Sequence, residues 1–404
     1  MQEASILIFA ALLIFVYGLF SRLSERLPVS AAMVFVAVGM IASPLGLDLL
    51  EMQLTSTAVH VIAELTLVLV LFVDASMIDV KSFIRERGLT FRLLAIGLPL
   101  TMILGTALAV PIFDDMNLVT ITLMALMLSP TDAALGQPVV ASPLVPEKIK
   151  KAINVESGLN DGIALPPILA CIAALSVAAA DRADAHYWVG FTLKQLLLGP
   201  LLGALVGWVG GRLVEMASNK GWMHPTFQRL AAFSLAILAF ALAENFHGNG
   251  FIAAFFGGLM LGVRTHAVRE RIQEFGEAEG QQLALFVFFL FGVAAVPKAV
   301  GHWDGKAWVY AILSLTVIRM LPVALSLMGT KLTRFSIAFI GWFGPRGIAS
   351  VLYLIIVVNK LGLPGYERML SIIVLTVLIS VFLHGITAVP LSRLYASHAT
   401  ENGT

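Results

Sequence analysis

The sequence predicts an all-α polytopic membrane protein of about thirteen transmembrane helices, arranged as an inverted repeat. Three observations predict this fold class: the composition, the number of long apolar runs, and helix-breaking residues in the middle of two runs. Of the 404 residues, 59% are hydrophobic and only 13% are charged, whereas soluble domains average about 25% charged residues. The formal net charge is +1, so bulk charge indicates no nucleic-acid partner.

Apolar runs of about 17–25 residues, long enough to cross a bilayer, number about thirteen. They cover residues 4–20, 29–46, 55–76, 89–112, 118–140, 152–178, 189–214, 227–245, 249–264, 281–297, 307–329, 335–358 and 367–390. Only a short turn joins the eighth run to the ninth, so twelve or fourteen spans stay open as alternatives. A short tail follows the last run. We therefore expect a single membrane unit over residues 1–404, with no soluble regulatory domain.

Basic residues in the predicted loops alternate with helix order. Loops after odd-numbered runs, together with the C-terminal tail, carry fifteen Lys and Arg residues, and loops after even-numbered runs carry four. Cytoplasmic loops are enriched in Lys and Arg. The alternation therefore predicts an outside N-terminus and a cytoplasmic C-terminus, in a multi-pass protein of the cell's inner (plasma) membrane.

Helix-breaking residues interrupt the fifth and twelfth runs. The fifth contains Pro130, Gly136 and Pro138, and the twelfth contains Pro345 and Arg346 between glycines. Proline removes a backbone hydrogen bond, which a membrane tolerates where the freed groups line a cavity or meet protein partners. The fifth and twelfth runs are seven apart in the order of the helices. Because seven is odd, the two helices cross the membrane in opposite directions, as in an inverted repeat whose discontinuous helices meet near the midplane. The alternative is that Pro and Gly are simply common in membrane helices.

The seventh run carries small residues at every fourth position, namely Gly199, Gly203, Gly207 and Gly211. This spacing predicts one flat helix face for close packing against another helix. The pattern leaves open whether the contact lies within one chain or between two protomers.

Two acidic motifs lie inside apolar runs and carry Asp132 and Asp161. A carboxylate at bilayer depth costs about 2.5–3.5 kcal/mol on insertion scales, so its presence there indicates a functional site. Carboxylate oxygens suit hard cations such as Na⁺, and a carboxylate also binds a proton, so one group can exchange one for the other. Thr131 and Ser157 add hydroxyl oxygens, and Asn160 adds an amide. The competing interpretation is that a buried Asp caps a broken helix.

Glu156 precedes Asp161 on the same run, at a spacing that turns it away by roughly 140° on an ideal helix. It therefore needs a partner of its own. Arg319 and Arg346 are the buried candidates, and a buried Arg cannot lose its charge. We prefer a structural ion pair between Glu156 and Arg319, with Glu156 as a cation ligand as the alternative.

The motifs around these residues resemble the sodium/proton exchanger family, which includes the NhaP-type antiporters. They are SPTDA (129–133), ESGLNDG (156–162), LFVDAS (71–76), FIAAFFGGLMLG (251–262) and GPRG (344–347). The resemblance implies that Asp132 and Asp161 hold the ion, with Thr131 and Ser157 beside it. It also implies a homodimer whose discontinuous helices cross.

The resemblance further implies two functional parts. Residues 1–80 and 189–297 would form a dimerisation or scaffold part, and residues 89–178 and 307–390 an ion-carrying core. Asp74 matches a position that holds the Asn160 side chain in the family. Its position in the sequence allows either that role or a place at the cytoplasmic interface.

These observations predict a secondary antiporter that exchanges a monovalent cation, Na⁺ in the first place, for H⁺ by alternating access. The resemblance implies electroneutral one-for-one exchange, because Asn160 stands where electrogenic relatives carry a second aspartate. A K⁺/H⁺ antiporter of the same fold is the first alternative, and an organic-ion symporter is the second. The sequence contains no G-x-x-x-x-G-K-[ST] motif. We expect no enzyme activity and no cofactor, with Na⁺ and H⁺ as substrates.

Overall fold

The computed structural model describes residues 2–24, 29–78, 88–140, 142–179, 185–265 and 269–401. All regular structure in these ranges is helical. In chain order the α-helices are α1 Gln2–Ser24, α2 Ala31–Ala42, α3 Thr57–Ser76, α4 Leu89–Arg92, α5 Leu98–Ala109, α6 Leu118–Met127, α7 Ala133–Val140, α8 Glu147–Ala179, α9 Ala185–Asn219, α10 Pro225–Asn245, α11 Gly250–Arg264, α12 Arg269–Leu290, α13 Val296–Ala299, α14 Gly305–Leu315, α15 Val317–Ser326, α16 Arg334–Trp342, α17 Ile348–Leu361 and α18 Glu367–Glu401. The π-helical turns Leu93–Gly97 and Phe291–Ala295 join consecutive helices.

Eight helical stretches in the described ranges are long and apolar enough to cross a membrane. They are Thr57–Ser76, Leu89–Ala109, Glu147–Ser176, Leu193–Asn219, Pro225–Asn245, Ala278–His302, Gly305–Ser326 and Glu367–Ser397. Shorter apolar helices accompany them at Ile6–Arg22, Ala31–Ala42, Leu118–Met127, Gly250–Arg264 and Ile348–Leu361. The prediction of an all-α chain rich in apolar spans is confirmed.

The chain divides into two compact units. The first comprises Met1–His60, Leu89–Asn160 and Ala284–Thr404, and the second comprises Val61–Gly88 and Asp161–Leu283. The division into a scaffold part and an ion-carrying part is a functional assignment, and it stays a prediction.

In the second unit, the glycine-rich face of α9 lies directly on the backbone of α11. A β-carbon at Gly203 would stand 2.1 Å from the carbonyl oxygen of Ala253, and one at Gly207 would stand 2.0 Å from that of Gly257. No side chain fits at these distances, so both positions need glycine. The small-residue face therefore packs within one chain, which settles the alternative that the sequence left open.

In the first unit, both predicted helix breaks are present. Helix α6 ends at Met127 and α7 begins at Ala133, while α16 ends at Trp342 and α17 begins at Ile348. Each break coincides with a proline, which has no N–H to continue the helix. We call residues 128–132 and 343–347 the two interruptions.

A third break was not predicted. The run expected over 307–329 divides at Thr316, whose backbone (φ −113°, ψ −92°) ends α14 and opens α15. No local breaker marks it, since Pro322 lies inside α15. The break immediately precedes the turn of α15 that carries Arg319.

Ion pairs in the first unit join loop aspartates to basic residues in the first turns of two helices. Lys306 Nζ lies 2.7 Å from Asp114 Oδ1, and Arg368 bonds to both Asp115 and Asp304. The hydrogen bond from Lys306 lowers the pKa of the exposed Asp114 carboxyl. These pairs tie the chain ahead of α6 to the starts of α14 and α18.

Candidate functional site

Asp132, at the end of the first interruption, is held by the second. Its backbone N–H donates to the carbonyl oxygen of Pro345 at 2.8 Å, and its Oδ2 accepts the N–H of Ile348 at 2.6 Å. Ile348 is the first residue of α17, so the buried carboxylate lies at a helix N-terminus, where the helix dipole favours negative charge. The other carboxylate oxygen, Oδ1, accepts the N–H of Leu135 in α7 at 3.3 Å. The Asp132 side chain therefore caps the start of its own helix and also binds the start of α17, 216 residues away in the chain.

Two glycines of the second interruption make room for charged groups. A β-carbon at Gly347 would stand 1.9 Å from Asp132 Oδ2, and one at Gly344 would stand 2.1 Å from Arg319 Nε. Both distances are far below van der Waals contact. The motif Gly344-Pro345-Arg346-Gly347 thus combines a helix break with space for a carboxylate and a guanidinium.

Arg346, in the second interruption, hydrogen-bonds to the backbone of the first. Its Nη1 donates to the carbonyl oxygens of Ser129 and Pro130, at 2.6 and 3.1 Å. These carbonyls follow the end of α6, where the helix dipole places partial negative charge. The guanidinium is completely buried, and Nε and Nη2 have no hydrogen-bond partner within the described residues.

Three neutral polar side chains connect the first interruption to α8. Asn160 Nδ2 donates to Thr131 Oγ1 at 2.6 Å, and Thr131 Oγ1 lies 2.9 Å from Ser157 Oγ. All three residues are buried. Asn160 Oδ1 is buried without a hydrogen-bond partner in the part of the chain that is described. The cluster therefore offers hydroxyl oxygens and one unused amide oxygen, which are ligand types that hard cations accept.

Glu156 and Arg319 make two parallel hydrogen bonds. Arg319 Nη1 donates to Glu156 Oε1 at 2.6 Å, and Nη2 donates to Oε2 at 2.8 Å. Both side chains are 1% exposed. This bidentate geometry gives each carboxylate oxygen a charged donor, so Glu156 is engaged by an arginine. The geometry favours the structural interpretation over the interpretation of Glu156 as a cation ligand.

Asp161 and Asp74 belong to the second unit. Asp161 follows Asn160 directly in α8 and is buried. Asp74 lies near the end of α3 and is partly buried. The ligand role of Asp161 and both interpretations of Asp74 stay predictions.

Two buried polar residues of α18, Ser380 and His384, were not predicted from the sequence. The backbone N–H of Arg346 donates to Ser380 Oγ at 2.7 Å, and His384 Nε2 lies 3.0 Å from the carbonyl oxygen of Trp342. An ionisable residue inside an apolar span is itself a signal of function. That rule, applied to His384, would have singled it out.

Comparisons with known proteins identify the family and the fold of the chain. The model of the family described as "Sodium/hydrogen exchanger, transmembrane" matches residues 9–394. The K⁺/H⁺ antiporter NhaP2 of Shewanella sp. (strain ANA-3) is 25% identical over 395 residues, which are 96% of this chain and 67% of the relative. The K⁺/H⁺ antiporter NhaP of Alkalimonas amylolytica is 24% identical over 373 residues, which are 92% of this chain and 63% of the relative. The chain thus spans about two thirds of the length of these curated relatives.

The fold is similar to that of a solved antiporter. The structure of the sodium proton antiporter MjNhaP1 from Methanocaldococcus jannaschii at pH 8 superposes with a TM-score of 0.79 and 15% identity, covering 98% of this chain and 99% of that one. An electron-microscopy structure of MjNhaP1 gives a TM-score of 0.75. At this identity the likeness shows the fold. The family is shown by the family model, which matches nearly the whole chain. The protein belongs to the transmembrane sodium/hydrogen exchanger family.

Proposed function

We propose that this monovalent cation:proton antiporter binds Na⁺ and H⁺ alternately at one site that includes Asp132 and Asp161. Antiport follows from membership of the exchanger family. The choice of Na⁺, the shared site and one-for-one exchange are the proposal. In it, Asp161 binds either the cation or the proton, and Asp132 shapes the field and contributes oxygen or water contacts.

One observation carries the proposal: a buried carboxylate is held where two interrupted helices meet. Asp132 accepts the Ile348 N–H through Oδ2, while the adjacent Thr131 joins the Ser157 and Asn160 cluster. Interrupted membrane helices place their free backbone groups around ions in transporters of this general type. Asn160 precedes Asp161 in α8, so the amide oxygen and the second carboxylate follow one another in the chain.

The wider architecture is part of the same proposal. The eight long and five shorter apolar helices support thirteen spans, and the two interruptions support an inverted repeat with crossed helices. We propose that the protein is a homodimer in the inner (plasma) membrane, with its N-terminus outside and its C-terminus in the cytoplasm. Residues 1–80 and 189–297 would serve as scaffold, and residues 89–178 and 307–390 as the ion-carrying core.

K⁺ is the second candidate cation. It is favoured by the curated relatives, which are named K⁺/H⁺ antiporters. The structural neighbour is named a sodium proton antiporter. Cavity size and the number of oxygen ligands decide between the two ions, so the ion itself must be varied in the test.

The test is exchange in proteoliposomes loaded with a pH-sensitive dye, with Na⁺, K⁺ or Li⁺ added in turn. Wild type should move protons in response to Na⁺. Asp161→Asn should abolish the response and Asp132→Asn should nearly abolish it, with both proteins still inserted. Asp114→Asn, which alters an exposed loop aspartate, is the matched control and should exchange normally. Normal exchange in Asp161→Asn would contradict the shared site, and a response to K⁺ alone would replace Na⁺ by K⁺.

A further inference from the structure

Two side chains one turn apart on α18 make hydrogen bonds at both ends of the second interruption, residues 343–347. At one end, His384 Nε2 lies 3.0 Å from the carbonyl oxygen of Trp342, the last residue of α16. At the other, the backbone N–H of Arg346 donates to Ser380 Oγ at 2.7 Å. Ser380 Oγ and His384 Nδ1 are 3.1 Å apart, so hydrogen bonds link the two ends through α18.

Each ring nitrogen of His384 lies beside a backbone carbonyl oxygen, which only accepts. Nε2 lies 3.0 Å from the carbonyl oxygen of Trp342, and Nδ1 lies 3.0 Å from that of Ser380 in the same helix. In the tautomer that carries its proton on Nε2, the ring donates to Trp342 and Nδ1 accepts from the Ser380 hydroxyl, 3.1 Å away. Ser380 Oγ also accepts the N–H of Arg346. In this tautomer, hydrogen bonds run from Arg346 through Ser380 and His384 to Trp342.

These hydrogen bonds satisfy backbone groups that the interrupted helix leaves free. Ser380 and His384 are 0% and 1% exposed. At membrane depth a freed N–H or carbonyl must line a water-filled cavity or meet a protein partner, and Arg346 is completely buried. Apolar side chains at positions 380 and 384 would fill the same space and leave the N–H of Arg346 unpaired. The two polar residues are therefore matched to the break, beyond what packing requires.

The fastened segment also carries the groups that hold Asp132. Pro345, whose carbonyl accepts the Asp132 N–H, directly precedes Arg346, and Ile348, whose N–H binds Asp132 Oδ2, follows two residues later. A shift of the Arg346 backbone therefore moves both partners of Asp132 together.

We propose that Ser380 and His384 are positioning residues for ion exchange, because they hold the second interruption where it presents Asp132 to the cation. The inference rests on the proposed role of Asp132 in the ion site. Ser380 and His384 act through the backbone of residues 342–348 and do not bind the ion themselves.

The test measures the apparent KM for Na⁺ in proteoliposomes at fixed pH. Ser380→Ala removes the acceptor for Arg346, and His384→Ala removes the donor to Trp342. Each is expected to raise KM by roughly two- to tenfold, the factor that one hydrogen bond represents. The KM of the double variant should resemble that of the more affected single variant, because hydrogen bonds join the two side chains in one network. His384→Gln keeps an N–H donor for Trp342 and should recover most of the affinity.

Thr376→Val is the matched control. Thr376 is buried one turn earlier on α18, and its hydroxyl donates to the Ile372 carbonyl of the same helix. Its KM should equal that of wild type. The rise in melting temperature on adding Na⁺ in detergent reports cation binding without transport. This rise should be smaller in Ser380→Ala and His384→Ala than in wild type, and it should be unchanged in Thr376→Val. Ser380→Ala, which removes a single oxygen, decides the outcome where His384→Ala does not fold.

Wild-type KM and a wild-type Na⁺-induced shift in Ser380→Ala and His384→Ala would overturn the inference. An equal rise of KM in Thr376→Val would do the same, because it would indicate general disturbance of α18. Asp132→Asn separates the two proposals. If it exchanges like wild type, the ion site itself is wrong, whereas if it fails while the α18 variants are normal, only the positioning role is wrong.

Discussion

Gly347 lies directly against the carboxylate of Asp132, and a β-carbon at position 347 would stand 1.9 Å from Oδ2 and 2.7 Å from Cγ. The contact joins the two interruptions of the first unit at their polar centre. The neighbouring Ile348 N–H binds the same Oδ2 at 2.6 Å. Space at position 347 and the hydrogen bond at position 348 therefore act together to place the carboxylate.

Gly347→Ala is expected to lower exchange at least about tenfold, since displacements of about 1 Å at a reacting site have effects of this size or larger. The new methyl group must push the Asp132 carboxylate away from the Ile348 N–H. The measurement is Na⁺-driven proton movement per inserted protein. Gly136→Ala is the control, because a β-carbon there meets no atom within 4 Å. Equal activity of the two variants would argue against a role for the close contact.

Glu156→Gln is expected to lower thermal stability in detergent more than it changes apparent Na⁺ affinity. The substitution leaves Arg319 buried without its counter-charge, and removing one partner of a buried pair costs about 3–5 kcal/mol. Glu147→Gln is the control, since the Glu147 side chain is 87% exposed beside Lys150 and exposed pairs contribute about 0–1 kcal/mol. A stable Glu156→Gln protein with greatly weakened Na⁺ affinity would instead make Glu156 a ligand.

The apparent KM for Na⁺ is expected to rise as pH falls. Proton and cation compete for one carboxylate, so below the pKa of that carboxyl in the folded protein KM should rise by about tenfold per pH unit. The maximal rate at saturating Na⁺ should depend on pH much less. Initial rates across a matrix of Na⁺ concentration and pH give both quantities. A KM that is independent of pH would indicate separate sites for proton and cation.

Exchange is expected to move no net charge. Asn160 stands where a second acid would add a proton, and Arg319 holds Glu156 in an ion pair, so one Na⁺ should leave for each H⁺ bound. A membrane potential acts at about 2.3 kcal/mol per charge per 100 mV, so one uncompensated charge would be easy to detect. A K⁺/valinomycin potential should neither drive nor inhibit exchange. A sustained effect of the potential would indicate another titrating group, with Asp132 and Asp74 the first to examine.

Local sequence patterns were sufficient for much of the fold. Spans follow from apolar runs, and the breaks near Pro130 and Pro345 follow from the missing proline N–H, because both effects act within a few residues. The division at Thr316 escaped prediction because no proline or glycine marks that position. The proximity of Glu156 to Arg319 was expected from the cost of burying either charge alone. Its bidentate geometry came from the structure.

By itself the sequence determined which segments are apolar enough to cross a membrane and which of them carry charge, because hydropathy and side-chain chemistry are properties of each segment. Only the tertiary structure decided which distant groups meet. It placed Gly347 against Asp132, the face of α9 on α11 within one chain, and His384 at the carbonyl of Trp342. The physical reason is that hydrogen bonds and close backbone contacts between separate helices depend on how those helices pack. No periodicity along a single helix specifies that packing.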